Sequence, residues 1–194
     1  MSTHVERSVD GHALQQAHGS QRHLYLGTLL QYALRVVIVV FLTVTLLWEP
    51  PDQHTWTCVG LLAAYVVIVG SWSVWALRPG SRAASAGRTR VTLLVLAADV
   101  AVVSIISVLT GVTSPEVWTS DVTSSGLFLI PLIAAAQLDP AISGAMAIPT
   151  VAAFFVTSAV TKTANEEPWP SILLNTAVLA TLAGGSVAVS LIQR

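Results

Sequence analysis

Charged side chains are scarce in this chain: Asp, Glu, Lys and Arg make up only 10% of its 194 residues, against about a quarter in an ordinary soluble domain. Hydrophobic residues make up 54%, which is more than a water-soluble surface accommodates. The net charge is -1, and the few basic residues do not line a binding face, so nothing in the composition indicates nucleic-acid binding. The composition therefore predicts a protein whose main partner is the lipid bilayer.

Cysteine and catalytic motifs are also lacking. The lone cysteine, Cys58, excludes an internal disulfide framework. The sequence has no glycine-rich phosphate loop, no paired-histidine zinc motif and no Gly-x-Ser-x-Gly turn. His54 lies four residues before Cys58, but two ligands without a third do not indicate a metal site. No catalytic residue, metal or cofactor is predicted.

Six apolar stretches dominate the chain. Because only a helix satisfies its backbone hydrogen bonds within one segment in lipid, each stretch is predicted to be a transmembrane helix. The predicted helices cover residues 24–48, 56–77, 91–109, 122–138, 141–160 and 169–192. Residues 1–21 are polar and are expected to form a disordered cytoplasmic tail. The predicted fold is therefore an all-α, polytopic six-helix membrane bundle over residues 22–194.

Arginines predict the orientation of the bundle. The connection between the second and third segments contains four arginines and no acidic residue: Arg78, Arg82, Arg88 and Arg90. Because cytoplasmic loops carry the excess of Lys and Arg, this connection is expected in the cytoplasm, together with the amino terminus. Six spans also place Arg194 there, whereas five would place it outside. We therefore predict a multi-pass protein of the cell membrane with both termini cytoplasmic.

The fourth segment is the exception to this pattern. Its apolar core is short and contains Pro131. It is either a full span or a re-entrant or kinked element.

Asp99 is the most informative single residue. It lies about 12 Å into the third segment, where a carboxylate is costly unless it is paired, protonated or wetted. Arg35 lies at a similar depth in the first segment, so the two can form an ion pair. In the alternative, Arg35 extends to the headgroups and Asp99 is a protonated or hydrogen-bonded packing residue.

The acidic connection after the third segment is a second candidate site. Glu116, Trp118 and Asp121 combine negative charge with an aromatic ring, a pattern suited to a cationic or amphipathic molecule arriving from outside. The alternative is a solvated loop with one interfacial tryptophan. Trp48, Trp56 and Trp169 fall at the other predicted outer helix ends.

Three stretches carry a family resemblance: 110–121 (TGVTSPEVWTSD), 165–174 (NEEPWPSILL) and 190–194 (SLIQR). They resemble the membrane input region of actinobacterial sensor histidine kinases, over most of the chain after residue 21. The resemblance implies about six helices, a homodimer, and a last helix that leads into a dimerisation helix and an ATP-binding kinase domain. A downstream kinase domain or response regulator would then be the partner.

The sequence departs from that family at its end. It stops at Arg194, where the family continues into the phosphoacceptor helix, and no histidine follows His54. We therefore expect these residues to have no kinase activity of their own.

The leading hypothesis is a sensor domain of a two-component system. In it, a stimulus shifts the packing of the helices, with Pro131 and Pro149 as candidate hinges, and the last helix relays the shift. The alternative is a small transporter or transporter subunit in which Asp99 is the coupling carboxylate. A purely structural membrane partner is the third possibility.

Overall fold

A computed structural model describes residues 27, 29–77, 85–114, 118–137 and 139–192. Within these ranges every regular element is helical. The helices are α1 (Leu29–Trp48), α2 (Thr55–Leu77), α3 (Ser85–Thr113), α4 (Trp118–Ser125), α5 (Leu129–Ala135), α6 (Pro140–Asn165) and α7 (Trp169–Ile192), with a 3-10 turn (Gly126–Phe128) between α4 and α5. The predicted tail, residues 1–21, lies outside the described residues.

Five of the helices, α1, α2, α3, α6 and α7, are long and apolar enough to cross a membrane. The predicted all-α membrane bundle is therefore confirmed. The predicted fourth span corresponds to a shorter apolar stretch, Asp121–Ala135. At a helical rise of 1.5 Å per residue this stretch is about 22 Å long, less than the roughly 30 Å of a hydrocarbon core.

The short fourth segment is interrupted where it approaches α3. A Cβ atom added to Gly126 would lie 3.3 Å from Val103 Cγ1, so glycine allows the 3-10 turn to lie close against α3. The turn is followed by Pro131, which has no N–H to donate to the helix. Pro131 is buried in α5, and the second candidate hinge, Pro149, lies inside α6.

The structure corrects several predicted boundaries. Helix α3 begins at Ser85 rather than at 91, and α6 continues to Asn165 rather than ending at 160. Residues 118–121, which precede the predicted fourth helix, are already helical and form the first half of α4. Hydropathy marks only the part of a helix that lies in lipid, whereas the backbone hydrogen bonds of a helix continue through polar turns beyond it.

Helix α3 is central, since it contacts α2, α4, α5 and α6. Its buried residues recur at helical spacing, and the same spacing recurs on α1 and α2. The shared core of these three helices contains Ile38, Leu42 and Leu46 of α1, Leu62, Tyr65 and Val69 of α2, and Leu96, Val103 and Ile106 of α3.

Helices α6 and α7 are joined by a tight turn at Glu166. Its φ of 53° is the only positive φ of a non-glycine residue in the described ranges. The backbone N–H of Glu166 donates to the carbonyl oxygen of Lys162, which closes the last turn of α6. The turn lies at the same end of the bundle as Trp48, Trp56 and Trp169, which are largely exposed. We call this end the tryptophan end.

Replacing Glu166 with glycine is expected to stabilise the protein. An L-residue pays a steric cost in the left-handed region that glycine avoids, so Glu166→Gly should raise the free energy of unfolding by about 0.5–1 kcal/mol. Thermal unfolding in detergent micelles measures the change. Glu166→Ala removes the same charge but retains Cβ, and it should not stabilise. Equal midpoints for both variants would contradict this explanation.

Candidate functional site

Asp99 lies at the centre of the longest helix. It is the middle residue of the 29-residue α3, about 21 Å from either end. Arg35 on α1 and Tyr65 on α2 lie about 20 Å and 15 Å from the tryptophan end of their own helices. Three polar side chains from three helices therefore reach a similar depth.

These three side chains form one buried network. Arg35 Nε donates a hydrogen bond of 3.0 Å to Asp99 Oδ2, and Arg35 Nη2 lies 2.9 Å from the same oxygen. The Tyr65 hydroxyl donates a hydrogen bond of 2.9 Å to Asp99 Oδ1. Asp99 and Tyr65 are 0% exposed and Arg35 is 2% exposed. Both carboxylate oxygens are thus occupied, and Arg35 is paired rather than extended to the headgroups.

The pairing of Asp99 with Arg35 was one of two predicted alternatives, and Tyr65 was not predicted. The available signal for Tyr65 was its phenol hydroxyl within the otherwise apolar stretch 58–69 of α2. A tyrosine hydroxyl in that position needs a partner. The network links α1, α2 and α3 at mid-depth, and its geometry is that of a structural brace. The functional role of Asp99 stays a prediction.

Removing either charge should be more harmful than removing both. Arg35→Met or Asp99→Leu leaves one buried charge without its partner, which costs about 3–5 kcal/mol of unfolding free energy. The double variant replaces the ion pair with apolar contacts and should regain most of that loss. The free energies of unfolding of the wild type, the two single variants and the double variant, measured in mixed detergent micelles, form a double-mutant cycle. Additive losses would show that the pair is not energetically coupled.

A polar cleft lies at the tryptophan end. It has a volume of about 220 Å³. It is lined by Asp121, Ser124, Ser125 and Phe128 from the α4–α5 segment, Phe154 and Ser158 from α6, and Glu167, Ser171 and Asn175 from the start of α7 and the turn before it.

Hydrogen bonds between α3 and α4 hold one wall of this cleft in place. Thr123 Oγ1 donates to Ser107 Oγ at 3.1 Å and lies 3.3 Å from Thr110 Oγ1. This pairing satisfies buried hydroxyls that lipid cannot. It fixes the short helix that carries Asp121 against α3.

The opposite wall comes from the α6–α7 turn. Ser171 Oγ donates a hydrogen bond of 2.7 Å to Glu167 Oε1, and this bond orients the carboxylate near the first turn of α7. The rings of Phe128 and Phe154 meet edge to face, with centroids 5.3 Å apart. The cleft therefore combines two acids with an aromatic pair.

Within the described part of the chain, the cleft is lined by two acidic side chains, Asp121 and Glu167, and by no basic side chain. Partial burial raises the pKa of the Asp121 carboxyl above its usual value, and the negative charge of Glu167 raises it further. Among the described residues, neither carboxylate forms an ion pair. The nearby Lys162 ammonium lies 5.3 Å from the centroid of the Trp169 ring. The cleft is thus an acidic site without a cation of its own.

The three residues predicted for this region, Glu116, Trp118 and Asp121, differ in their relation to the cleft. Asp121 lines the cleft. Trp118 is the first residue of α4, but its side chain is outside the described set. Glu116 lies in 115–117, beyond the described residues. The prediction missed Glu167, whose position next to a helix start in an acidic turn was the available signal.

Comparison of this chain with protein-family models, curated proteins and solved structures found no match. The resemblance to histidine-kinase input regions therefore stays a prediction.

Proposed function

We propose that this chain is the membrane-embedded input domain of a sensor histidine kinase in a two-component system. In this proposal the protein lies in the cell membrane with the tryptophan end outside and both termini in the cytoplasm. The observation that carries the proposal is the path of α7, which begins at the polar cleft and ends at the opposite end of the bundle.

Helix α7 connects the cleft to the other side of the membrane. Its residues Ser171 and Asn175 line the cleft. Ser190 lies about 32 Å along the 24-residue helix from its start, and its Oγ is 3.0 Å from Ser143 Oγ of α6. Any molecule in the cleft therefore contacts the helix whose far end faces the cytoplasm in this orientation.

Helix α7 lies outside the Asp99 network. It packs mainly on α6 and α5, and 22% of its apolar window is buried, the same share as in α2 and less than the 50% of α3. Neither α6 nor α7 contributes a side chain to the Asp99 network, so a shift of α7 against α6 leaves that network in place. Two packings of α7 with similar free energy would supply the switch that signalling requires. Pro149 in α6 is a candidate hinge.

A homodimer is part of the proposal. Small residues at four-residue spacing allow two membrane helices to approach closely. On α7, Ala180, Gly184 and Ala188 have this spacing and are all exposed within the monomer. The face they form is therefore available to α7 of a second copy.

The transporter alternative rests on Asp99, a carboxylate in the middle of a membrane helix. Both of its oxygens are held by partners, and it does not line the cleft. Coupled transport would require this network to open. The enclosed geometry favours the input-domain proposal.

The test uses a fusion of residues 1–194 to the dimerisation and catalytic core of a histidine kinase, reconstituted in proteoliposomes. Glu167→Gln changes the charge of the cleft beside α7, so it should alter autophosphorylation at least about threefold. Glu166→Gln is the matched control, because the adjacent side chain does not line the cleft. It should leave the activity unchanged.

Two results would overturn the proposal. One is equal kinase activity in the wild type and both variants. The other is solute or proton flux in proteoliposomes that Asp99→Asn abolishes, which would establish the transporter instead.

A further inference from the structure

We propose that the polar cleft at the tryptophan end binds a primary ammonium group, either of a small free amine or of a lipid headgroup. As a statement about the stimulus, this inference rests on the proposed function. As a statement about binding, it stands on the cleft alone.

The first argument is charge. Asp121 and Glu167 line one small cavity, and within the described residues neither has a basic partner. Two carboxylates near each other repel, and a shared cation removes that repulsion. The basic side chain nearest in sequence to this turn, Lys162, is placed over Trp169. An external cation is therefore the favoured occupant.

The second argument is an unsatisfied hydroxyl. Four serines line the cleft, and three of them donate hydrogen bonds within the protein: Ser124 and Ser125 to the carbonyl oxygen of Asp121, and Ser171 to Glu167. Ser158 is only 6% exposed, yet its hydroxyl forms no hydrogen bond with any described residue. Ser158 lines the cleft, so its hydroxyl is available to hydrogen-bond a ligand there.

The third argument is the match between acceptors and donors. An ammonium group of the R–NH₃⁺ type carries three N–H donors and no acceptor. Oxygen acceptors for these donors line the cleft, among them those of Asp121, Glu167, Ser158 and Asn175. Phe128 and Phe154 supply aromatic surface for the cation and for the apolar part of the ligand. A primary ammonium group satisfies each of these features.

A metal ion fits the cleft less well. The described residues contain no group of three or more His, Cys, Asp or Glu side chains that could hold one. Calcium takes six to eight oxygen ligands, and aromatic rings contribute none. The volume of about 220 Å³ is also below the roughly 300–1,000 Å³ of pockets for drug-sized ligands. The occupant is therefore expected to be small.

The experiment measures binding of butylammonium to the full chain in maltoside micelles by titration calorimetry, with 1-butanol as the neutral control. Saturable binding of the amine is expected, and the alcohol should not compete. Asp121→Asn and Glu167→Gln should each weaken binding about tenfold, and Ser158→Ala a few-fold. Glu166→Gln is the matched control and should change it less than twofold.

Two short-chain lipids distinguish the two sources of the ligand. Phosphatidylethanolamine carries a primary ammonium group, and phosphatidylglycerol carries none. Tighter binding of the former than of butylammonium would identify a lipid headgroup, and the reverse would identify a free amine. Binding by neither ammonium compound, equal binding of the alcohol, or preferential binding of Ca²⁺ would overturn the proposal.

The two experiments distinguish a failure of the ammonium-binding proposal from a failure of the proposed function. If no ammonium compound binds but Glu167→Gln still alters the kinase fusion, the ligand class is wrong and the input domain stands. If butylammonium binds as expected but no variant alters the fusion, the binding site stands and the signalling proposal fails.

Discussion

The buried network of Asp99, Arg35 and Tyr65 is the interaction on which the arrangement of the first three helices depends. An apolar bundle in lipid has little hydrophobic force to hold its helices in one register, because lipid tails are as apolar as leucine. A carboxylate at the centre of α3 changes this, since its charge must be compensated inside the bundle. Arg35 and Tyr65 supply that compensation from α1 and α2. They therefore specify how those helices face α3.

The rest of the bundle is organised differently. Helices α6 and α7 and the short α4–α5 segment pack on each other and on α3 through apolar side chains and through pairs of small hydroxyl groups. Thr123 with Ser107, and Ser143 with Ser190, are the clearest examples. Such hydroxyl pairs are weaker than an ion pair in a dry core, and they are easier to exchange. A half of the bundle that contains the ion pair thus adjoins a second half that contains the hydroxyl pairs.

The acidic cleft belongs to the second half, and its position follows from the broken fourth segment. The α4–α5 segment begins with polar residues, and Asp121 there lies beside the α6–α7 turn, where it lines the cleft with Glu167. The 3-10 turn at Gly126 brings Phe128 toward Phe154 below the carboxylates. The 3-10 turn, which contains Phe128, and the cleft that Phe128 lines therefore belong to the same segment of the chain.

The sequence by itself determined the class of fold and the places of the long spans, because the cost of exposing backbone and charge to lipid acts on each segment separately. It also singled out Asp99, Arg35 and Asp121, since charge is rare in such a chain. Tertiary structure alone decided that Tyr65 completes the Asp99 network and that Glu167 and Ser158 share a cleft with Asp121. The physical reason is that these contacts join residues far apart in sequence, such as Tyr65 and Asp99. Hydropathy measures a side chain against lipid or water, and it contains no information about which other helix that side chain meets.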